Sequence, residues 1–307
     1  MIFKKARMRR IHYTTNFVIS KDGTRIHYRQ MGSGEGLMLV HGAMMYSGNF
    51  MRLAELLAND FTVYMPDRCG RGLSETHKIH SLLAESEDIQ AIMNQTNTRY
   101  IFGLSSGAII VLQTAIRYPY LQKIALYEPP LLIDSTEEHL TKTIINYERA
   151  MAKQDYGNAF ISFIKGTDDK DSLMKSLPAF VTAPFMNFSI HSDAKKQPEN
   201  GKTDLKSLIF AAQYDNCVVR QSQGIIDKVK NITADILLLE GEKSHPILQK
   251  SLEGLHIALP DAKRVMLPNV GHIAAHNSGK PALVANELKV FFKKVVRSGG
   301  CASASRS

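Results

Sequence analysis

Residues 99–120, RYIFGLSSGAIIVLQTAIRYPY, contain the pattern on which the fold prediction depends. A β-type run at 99–102 leads into a G-x-S-x-G motif at 103–107, and an apolar helical pattern follows. Glycine permits the tight turn that joins a strand to a closely packed helix. The motif in this setting predicts a strand–turn–helix that exposes the hydroxyl of Ser105 above a sheet, beside the first N–H groups of the helix.

Strands alternate with helices on both sides of this motif. Two β-rich runs, at 17–21 and 24–32, flank Asp22-Gly23 and predict an antiparallel hairpin at the start of the sheet. Continuous apolar runs, typical of strands covered on both faces, recur at 36–42, 61–67, 99–107, 123–130, 234–242 and 262–272. Helical patterns between most of them predict βαβ units, so we expect an α/β fold with a mostly parallel eight-stranded sheet.

The alternation breaks at 131–215, where the sequence predicts several helices and no strand. We expect this insertion to cover the site as a helical cap, because ligands bind at the carboxyl ends of parallel strands. A polar run at 191–204 predicts an exposed loop. The insertion contains large apolar side chains that could line a pocket. The alternative, favoured for any one of them, is that they pack the helices together. They are Phe160, Phe163, Phe180, Phe185, Met186 and Phe188.

The predicted organisation has five parts. They are a basic arm (1–14), a first core segment (15–130), the helical cap (131–215), a second core segment (216–296) and a flexible tail (297–307). The net charge of +9 is concentrated at the two ends, and residues 31–292 are slightly acidic. We interpret the ends as solvated. The sequence does not contain the pattern of basic and interleaved aromatic residues that predicts a nucleic-acid-binding groove.

The composition is that of a globular protein with a sizeable core, 44% hydrophobic and 22% charged. No apolar stretch is long enough to span a membrane, and no apolar segment follows the basic N-terminus as in a secretion signal. Cys69, Cys217 and Cys301 are too scattered for a disulfide framework or a cysteine metal site, which predicts a reducing, cytoplasmic location. These features exclude a membrane channel, a disulfide scaffold and a coiled coil.

Four motifs together resemble those of the α/β-hydrolase superfamily, over about residues 15–130 and 215–295. They are His41-Gly42, Pro66-Asp67-Arg68-Cys69-Gly70-Arg71-Gly72, the Ser105 motif and Gly271-His272, each placed after a predicted strand. The resemblance implies a serine-type active site with Ser105 as nucleophile and His272 as base. It also implies that the backbone N–H of Ala43, together with that of Ser106, forms an oxyanion hole. It does not identify a substrate.

A serine hydroxyl needs a positioned base. His272 lies in the loop after the last strand and is preferred to His276, its nearest competitor. We expect His41 to position the oxyanion loop rather than to abstract a proton. We expect Asp67 to bind Arg68 or nearby loop N–H groups, a structural role.

The carboxylate partner of the base departs from the commonest family pattern. Most relatives carry an Asp after the seventh strand, where this chain has Ser244. Glu128 follows the sixth strand, where some members of the superfamily carry their acid, and it keeps the chain order Ser, acid, His. Its strand should neighbour that of Ser105. Glu128 is therefore the predicted acid. The alternative role for Glu128 is that of a structural carboxylate that accepts loop N–H groups. Glu242 and Glu240 are the fallback acids.

These residues predict a cofactor-free serine hydrolase. The most direct assignment is a carboxylesterase-like enzyme that acts on a small or medium apolar acyl substrate through a Ser-His-Glu triad and an acyl-enzyme. No metal or nucleotide motif is present, and serine at the nucleophile position argues against dehalogenase or epoxide hydrolase chemistry. The alternatives are a non-catalytic small-molecule binding protein on the same fold, and an acyltransferase or perhydrolase that uses the same site.

Overall fold

An eight-stranded sheet runs through the part of the chain that the computed structural model describes, residues 12–167, 186–187, 190 and 202–293. Its strands are β1 (Thr14–Ile19), β2 (Arg25–Gly32), β3 (Glu35–Val40), β4 (Phe61–Pro66), β5 (Tyr100–Leu104), β6 (Lys123–Tyr127), β7 (Asp235–Gly241) and β8 (Lys263–Leu267). Their order is β1-β2-β4-β3-β5-β6-β7-β8. Strand β2 is antiparallel to β1 and β4, and all other neighbouring pairs are parallel. The predicted α/β fold is confirmed.

Helices follow most of the parallel strands. They are α1 (Met51–Leu57), α2 (Leu82–Thr96), α3 (Ser106–Arg117), α4 (Glu137–Ala152), α5 (Tyr156–Thr167), α6 (Leu205–Gln221), α7 (Pro246–Ala258) and α8 (Pro281–Lys293). Short 3₁₀ turns occur at Ser47–Phe50, Ile225–Asp227 and Val229–Asn231. None of the helices in the described ranges combines the length and the hydropathy needed to cross a bilayer.

The central strands are buried on both faces. In β3, Met38 and Val40 belong to the hydrophobic core that includes residues of α2, α3 and α7, whereas Leu37 and Leu39 belong to the core that includes residues of α1 and α8. Successive side chains of a strand point to opposite faces, so a strand between two layers of helices needs apolar residues at every position. Each such side chain contributes about 1.5–3 kcal/mol to folding.

Helices α4, α5 and α6 carry the insertion between β6 and β7 and share a small core of their own. Its buried members are Tyr147, Ala150, Tyr156, Ala159, Ile190, Ile209 and Ala212. Phe160, Phe163 and Met186 pack against this core, so these three do pack the helices. Phe180, Phe185 and Phe188 lie outside the described residues, as do both chain ends and most of the polar run. The boundary predicted at 215/216 falls inside α6, which continues to Gln221.

Candidate active site

Ser105 joins β5 to α3 in a backbone conformation that is rare for a residue with a side chain. Its φ is 57° and its ψ is −127°. A Cβ added to Gly103 would lie 2.7 Å from the Cα of Ala108, and one added to Gly107 would lie 2.5 Å from the carbonyl oxygen of Val40. Both distances are too short for any side chain, so the two glycines are required by close packing. The surrounding structure therefore holds the strained backbone of Ser105.

The loop after β3 lies against this turn because β3 and β5 are neighbours in the sheet. A Cβ added to Gly42 would lie 2.9 Å from the Cβ of Ser105. Ala43, the next residue, lines the same pocket as Ser105 and Ser106. Ser106 is the first residue of α3, and the N–H groups of a first helical turn have no acceptor within their helix. The residues expected to supply the two oxyanion N–H groups thus lie next to Ser105.

Glu128 and His272 are in direct contact across the end of β7. Glu128 Oε2 lies 2.7 Å from His272 Nδ1, and its Oε1 accepts the N–H of Gly241 at 2.7 Å. Strand β7 lies between β6, which Glu128 follows, and β8, which precedes the loop of His272. Glu128 is completely buried and has a φ of 47°. Both oxygens of this buried carboxylate therefore have partners, as burial of a charge requires.

The other candidates for the acid have different partners. Glu242 Oε2 accepts the N–H of Asn269 at 2.8 Å, and Glu240 Oε1 pairs with Arg264 Nε at 2.8 Å. Ser244, at the commonest acid position, is buried, and its hydroxyl has no hydrogen-bond partner among the residues that the structure describes. Of the three carboxylates considered, Glu128 is the one that contacts His272.

The two remaining histidines of interest lie outside this contact. The Nε2 of His276 lies 2.8 Å from the side-chain nitrogen of Asn49. His41 Nε2 accepts the N–H of Arg68 at 3.2 Å, and its Nδ1 donates to the carbonyl of Gly42 at 2.9 Å. Burial, together with neighbouring guanidinium charges, lowers the pKa of His41 to about 3. His41 is therefore neutral at physiological pH, and its ring links the backbone of Gly42, in its own loop, to that of Arg68, in the loop after β4.

Asp67 binds loop N–H groups. Its two oxygens accept the N–H of Ser47 at 3.0 Å and of Leu73 at 3.2 Å. Of the two structural partners that the sequence suggested for Asp67, the loop N–H groups are the ones found. The side chain of the adjacent Arg68 points instead into a group of buried charges.

This group, the charge cluster, comprises Arg68, Arg71, Glu85 and Asp215. Arg68 Nε lies 2.6 Å from Glu85 Oε2, and Arg68 Nη1 lies 2.8 Å from Asp215 Oδ1. Asp215 also binds Arg71. All four side chains are almost fully buried. Burial raises the pKa of Asp215, but the charges of Arg71 and Arg68 outweigh it and hold that pKa below its usual range.

The charge cluster contacts both loops beside Ser105. Arg68 Nη1 donates to the carbonyl of His41 at 3.2 Å and to the hydroxyl of Ser106 at 3.1 Å. The hydroxyl of Ser106 in turn donates to Asp215 Oδ1 at 2.7 Å. Sequence reasoning did not assign these roles. One signal was present: Asp215 and Asn216 are a polar pair on the otherwise apolar buried face of α6.

A narrow pocket opens beside Ser105 between the sheet and the insertion. Its lining residues are Ala43, Ser105, Ser106, Pro130, Leu140, Thr143, Ile144, Phe163, Asp215, Asn216 and Val219. The accessible surface of this lining is almost entirely apolar. Within the described ranges, no group of three or more His, Cys, Asp or Glu side chains is arranged to hold a metal ion.

Comparisons with known proteins agree with this architecture. The chain is 33% identical over 123 residues to an uncharacterised hydrolase, YraK, of Bacillus subtilis. This alignment covers 38% of this chain and 45% of YraK. It is 21% identical to a pimeloyl-[acyl-carrier protein] methyl ester esterase of Nitrosomonas europaea, over 80% of this chain and 92% of that one. The crystal structure of an α/β hydrolase from Sphaerobacter thermophilus superimposes with a TM-score of 0.70 at 26% identity, covering 90% of this chain and all of that one.

The chain aligns with less than half the length of the first of these relatives. The match to the family as a whole is broader. A family model described as "alpha/beta hydrolase fold" matches residues 37–278, most of the chain and all the motifs discussed above. The chain belongs to the α/β-hydrolase fold family.

Proposed function

We propose that this chain is a serine hydrolase that cleaves carboxylic esters of small or medium acyl groups. Family membership and relatives named as hydrolases support the hydrolase assignment. The similarity to a methyl ester esterase over most of its length supports the ester as the substrate class. The finer assignment depends on the residues around Ser105.

One observation carries the proposal: the buried carboxylate of Glu128 lies 2.7 Å from Nδ1 of His272, a residue of the loop that follows β8. A carboxylate on Nδ1 holds the imidazole with Nε2 as the proton acceptor, and it stabilises the cation that forms when Nε2 takes a proton. The strained turn at Ser105 is the second support, because this backbone geometry is the one that exposes a nucleophile above a sheet.

The proposed reaction has two steps. Ser105 Oγ attacks the ester carbonyl while His272 Nε2 accepts the hydroxyl proton, and the same proton is then returned to the departing alcohol. Water attacks the resulting acyl-serine, again giving a proton to His272, and the acid leaves as Ser105 regains its hydrogen. The backbone N–H groups of Ala43 and Ser106 donate to the oxyanion that forms in each step.

The two segments that carry the proposed oxyanion N–H groups are held by neighbouring side chains. The neutral ring of His41 joins the backbone of its own loop, at Gly42, to the loop after β4, at Arg68. The Arg68 side chain binds both the loop of His41 and the hydroxyl of Ser106. Donors that are held in place before the reaction need no reorganisation as charge develops, which is the main source of their catalytic effect. The apolar lining of the pocket beside Ser105 favours contact with an apolar acyl chain.

The test of this function is chemical labelling and turnover. We expect a fluorophosphonate probe to label Ser105, and Ser105→Ala to abolish both labelling and turnover of p-nitrophenyl acetate or butyrate. Ser135→Ala, which changes an exposed serine, is the control and is expected to behave like the unaltered protein. Undiminished turnover in Ser105→Ala contradicts the proposal.

The same assay separates the alternatives. Binding of acyl compounds without turnover of any ester indicates a non-catalytic binding protein. Acyl transfer or perhydrolysis would differ from hydrolysis only in the molecule that attacks the acyl-serine. Analysis of the products with methanol or hydrogen peroxide present therefore distinguishes them, because an acyltransferase forms the methyl ester and a perhydrolase the peracid in preference to the free acid.

A further inference from the structure

One side chain in the pocket wall has an unsatisfied donor. Asn216 is 5% exposed, and its amide nitrogen has no hydrogen-bond acceptor among the residues that the structure describes. Buried polar groups in folded proteins are almost always paired, and an unpaired amide nitrogen loses its hydration without compensation. The position of Asn216 beside the nucleophile suggests what recovers this loss.

The neighbouring residue in the pocket wall does not share this lack of a partner. Asp215 also lies in the pocket wall, but its two oxygens accept from Arg68, Ser106 and Arg71. It has no need of a ligand. Val219, one turn further along α6, lines the same pocket, so one face of this helix places an aliphatic side chain and an unpaired amide in the pocket wall.

The surroundings indicate the chemistry of that molecule. Most of the pocket wall is aliphatic or aromatic, including Leu140, Ile144 and Phe163. A charged ligand group in such a wall would need a countercharge, and the guanidinium groups of Arg68 and Arg71 are already bound to carboxylates. An uncharged oxygen acceptor, such as a ketone, needs only the amide donor.

We propose that Asn216 is a specificity-determining residue that donates a hydrogen bond to an uncharged carbonyl oxygen within the acyl chain of the substrate. The preferred substrates are then oxo-acyl esters rather than simple alkanoyl esters. This inference depends on the proposed esterase function. It adds to that function the chemical class of the acyl group.

The experiment compares pairs of p-nitrophenyl esters of nearly equal shape. The 4-oxopentanoate is matched with the 4-methylpentanoate, and the 5-oxohexanoate with the 5-methylhexanoate, because each pair replaces a carbonyl oxygen by a methyl group. Rates in Ser105→Ala provide the background that is subtracted. For the unaltered protein we expect kcat/KM to favour the oxo ester by about tenfold in at least one pair, as is typical when a buried donor would otherwise stay unpaired.

Two variants remove the donor in different ways. Asn216→Leu replaces the amide by an apolar group of similar size, and Asn216→Asp keeps the shape but has no N–H₂ group. In both we expect the ratio of kcat/KM between oxo and methyl esters to fall about tenfold. Gln213→Leu, which changes an exposed amide on the same helix, is the matched control and should keep the ratio.

The outcomes separate the inference about Asn216 from the proposed esterase function. Turnover of the esters by the unaltered protein with no preference for either oxo ester overturns the inference and leaves the esterase function intact. A preference that survives in a folded Asn216 variant, or that is lost equally in Gln213→Leu, also overturns it. Failure to hydrolyse any of the four esters contradicts the esterase function, and the inference falls with it.

Discussion

The two sides of Ser105 are built on different principles. On one side, Glu128 contacts His272 and Gly241 where three adjacent parallel strands end, so sheet register and backbone hydrogen bonds position the carboxylate. On the other side, the charge cluster joins side chains from a loop and from helices α2 and α6 through ionic contacts. The first arrangement uses one carboxylate and mostly backbone. The second buries four charges, whose stability depends on their mutual compensation.

The comparison has a clear consequence for mutation. Removing the carboxylate on the sheet side is expected to affect chemistry more than folding, because the surrounding backbone pairing stays in place. Removing one charge from the cluster is expected to affect folding, because it leaves a buried guanidinium without its partner.

The largest effect is expected at Glu128. Glu128→Gln keeps the size of the side chain but removes the charge that stabilises the His272 cation, so kcat for p-nitrophenyl butyrate should fall by about 10³–10⁴. This corresponds to an activation barrier that is higher by about 4–5 kcal/mol. Glu242→Gln, which changes an exposed carboxylate bound to a loop N–H, is the control. If Glu242→Gln causes the loss and Glu128→Gln does not, the acid has been assigned to the wrong carboxylate.

The second effect concerns stability. Asp215→Asn removes one of the two carboxylates that compensate Arg68 and Arg71, and we expect it to lower the free energy of unfolding by about 3–5 kcal/mol. Glu148→Gln breaks an ion pair with Arg220 in which both side chains are about half exposed, and it should cost less than about 1 kcal/mol. Urea denaturation of both variants measures the difference. Equal losses would contradict the role assigned to the charge cluster.

The smallest effect is expected at a second buried ionic contact, remote from Ser105 in sequence. The ring of His77 lies 2.7 Å from Asp22 and 2.9 Å from Asp88. Burial lowers the pKa of His77, but its hydrogen bonds, first of all that with Asp88, outweigh this and raise it to about 11. His77→Gln should therefore cost about 1.5–3 kcal/mol of unfolding free energy at neutral pH, since hydrogen bonds to charged groups contribute this much.

The pH dependence of that loss follows from the raised pKa. Stability from a protonated His77 is complete below the unfolded value of 6.5, declines as the pH rises above it, and is gone beyond about 11. The gap in unfolding free energy between the unaltered protein and His77→Gln should therefore be wide at pH 6 and narrow at pH 10. The exposed His12 serves as control through His12→Gln. A gap that widens with rising pH contradicts this account.

The residues that sequence analysis found share one property: their signals are local. The turn at Ser105 requires Gly103 and Gly107, because a side chain at either position would overlap the neighbouring backbone. Both glycines lie within two residues of Ser105 in the sequence. The alternation of apolar runs predicted the sheet because each strand must fill two cores. The predicted proximity of Glu128 to His272 required one further step, the order of parallel strands, and the structure has that order. Their catalytic roles, the five-part division of the chain and its cytoplasmic location stay predictions.

The residues that sequence analysis missed depend on contacts between distant segments. Arg68 was noticed only as part of a motif and as a possible partner of Asp67, although it binds Asp215, which is 147 positions away. No local pattern relates these residues. The same holds for Asn216, whose unpaired amide is visible only when the packing of α6 against the pocket is known.

The α/β architecture and the turn at Ser105 can be predicted from the amino-acid sequence, because turn geometry and strand periodicity act over a few residues. The folded structure was needed to choose Glu128 over Glu240 and Glu242 as the contact of His272, to find the charges that compensate one another beside the loop of His41, and to find the pocket amide that lacks an acceptor. Hydrogen bonds and ion pairs form over about 3 Å in space, whatever the separation of their partners along the chain.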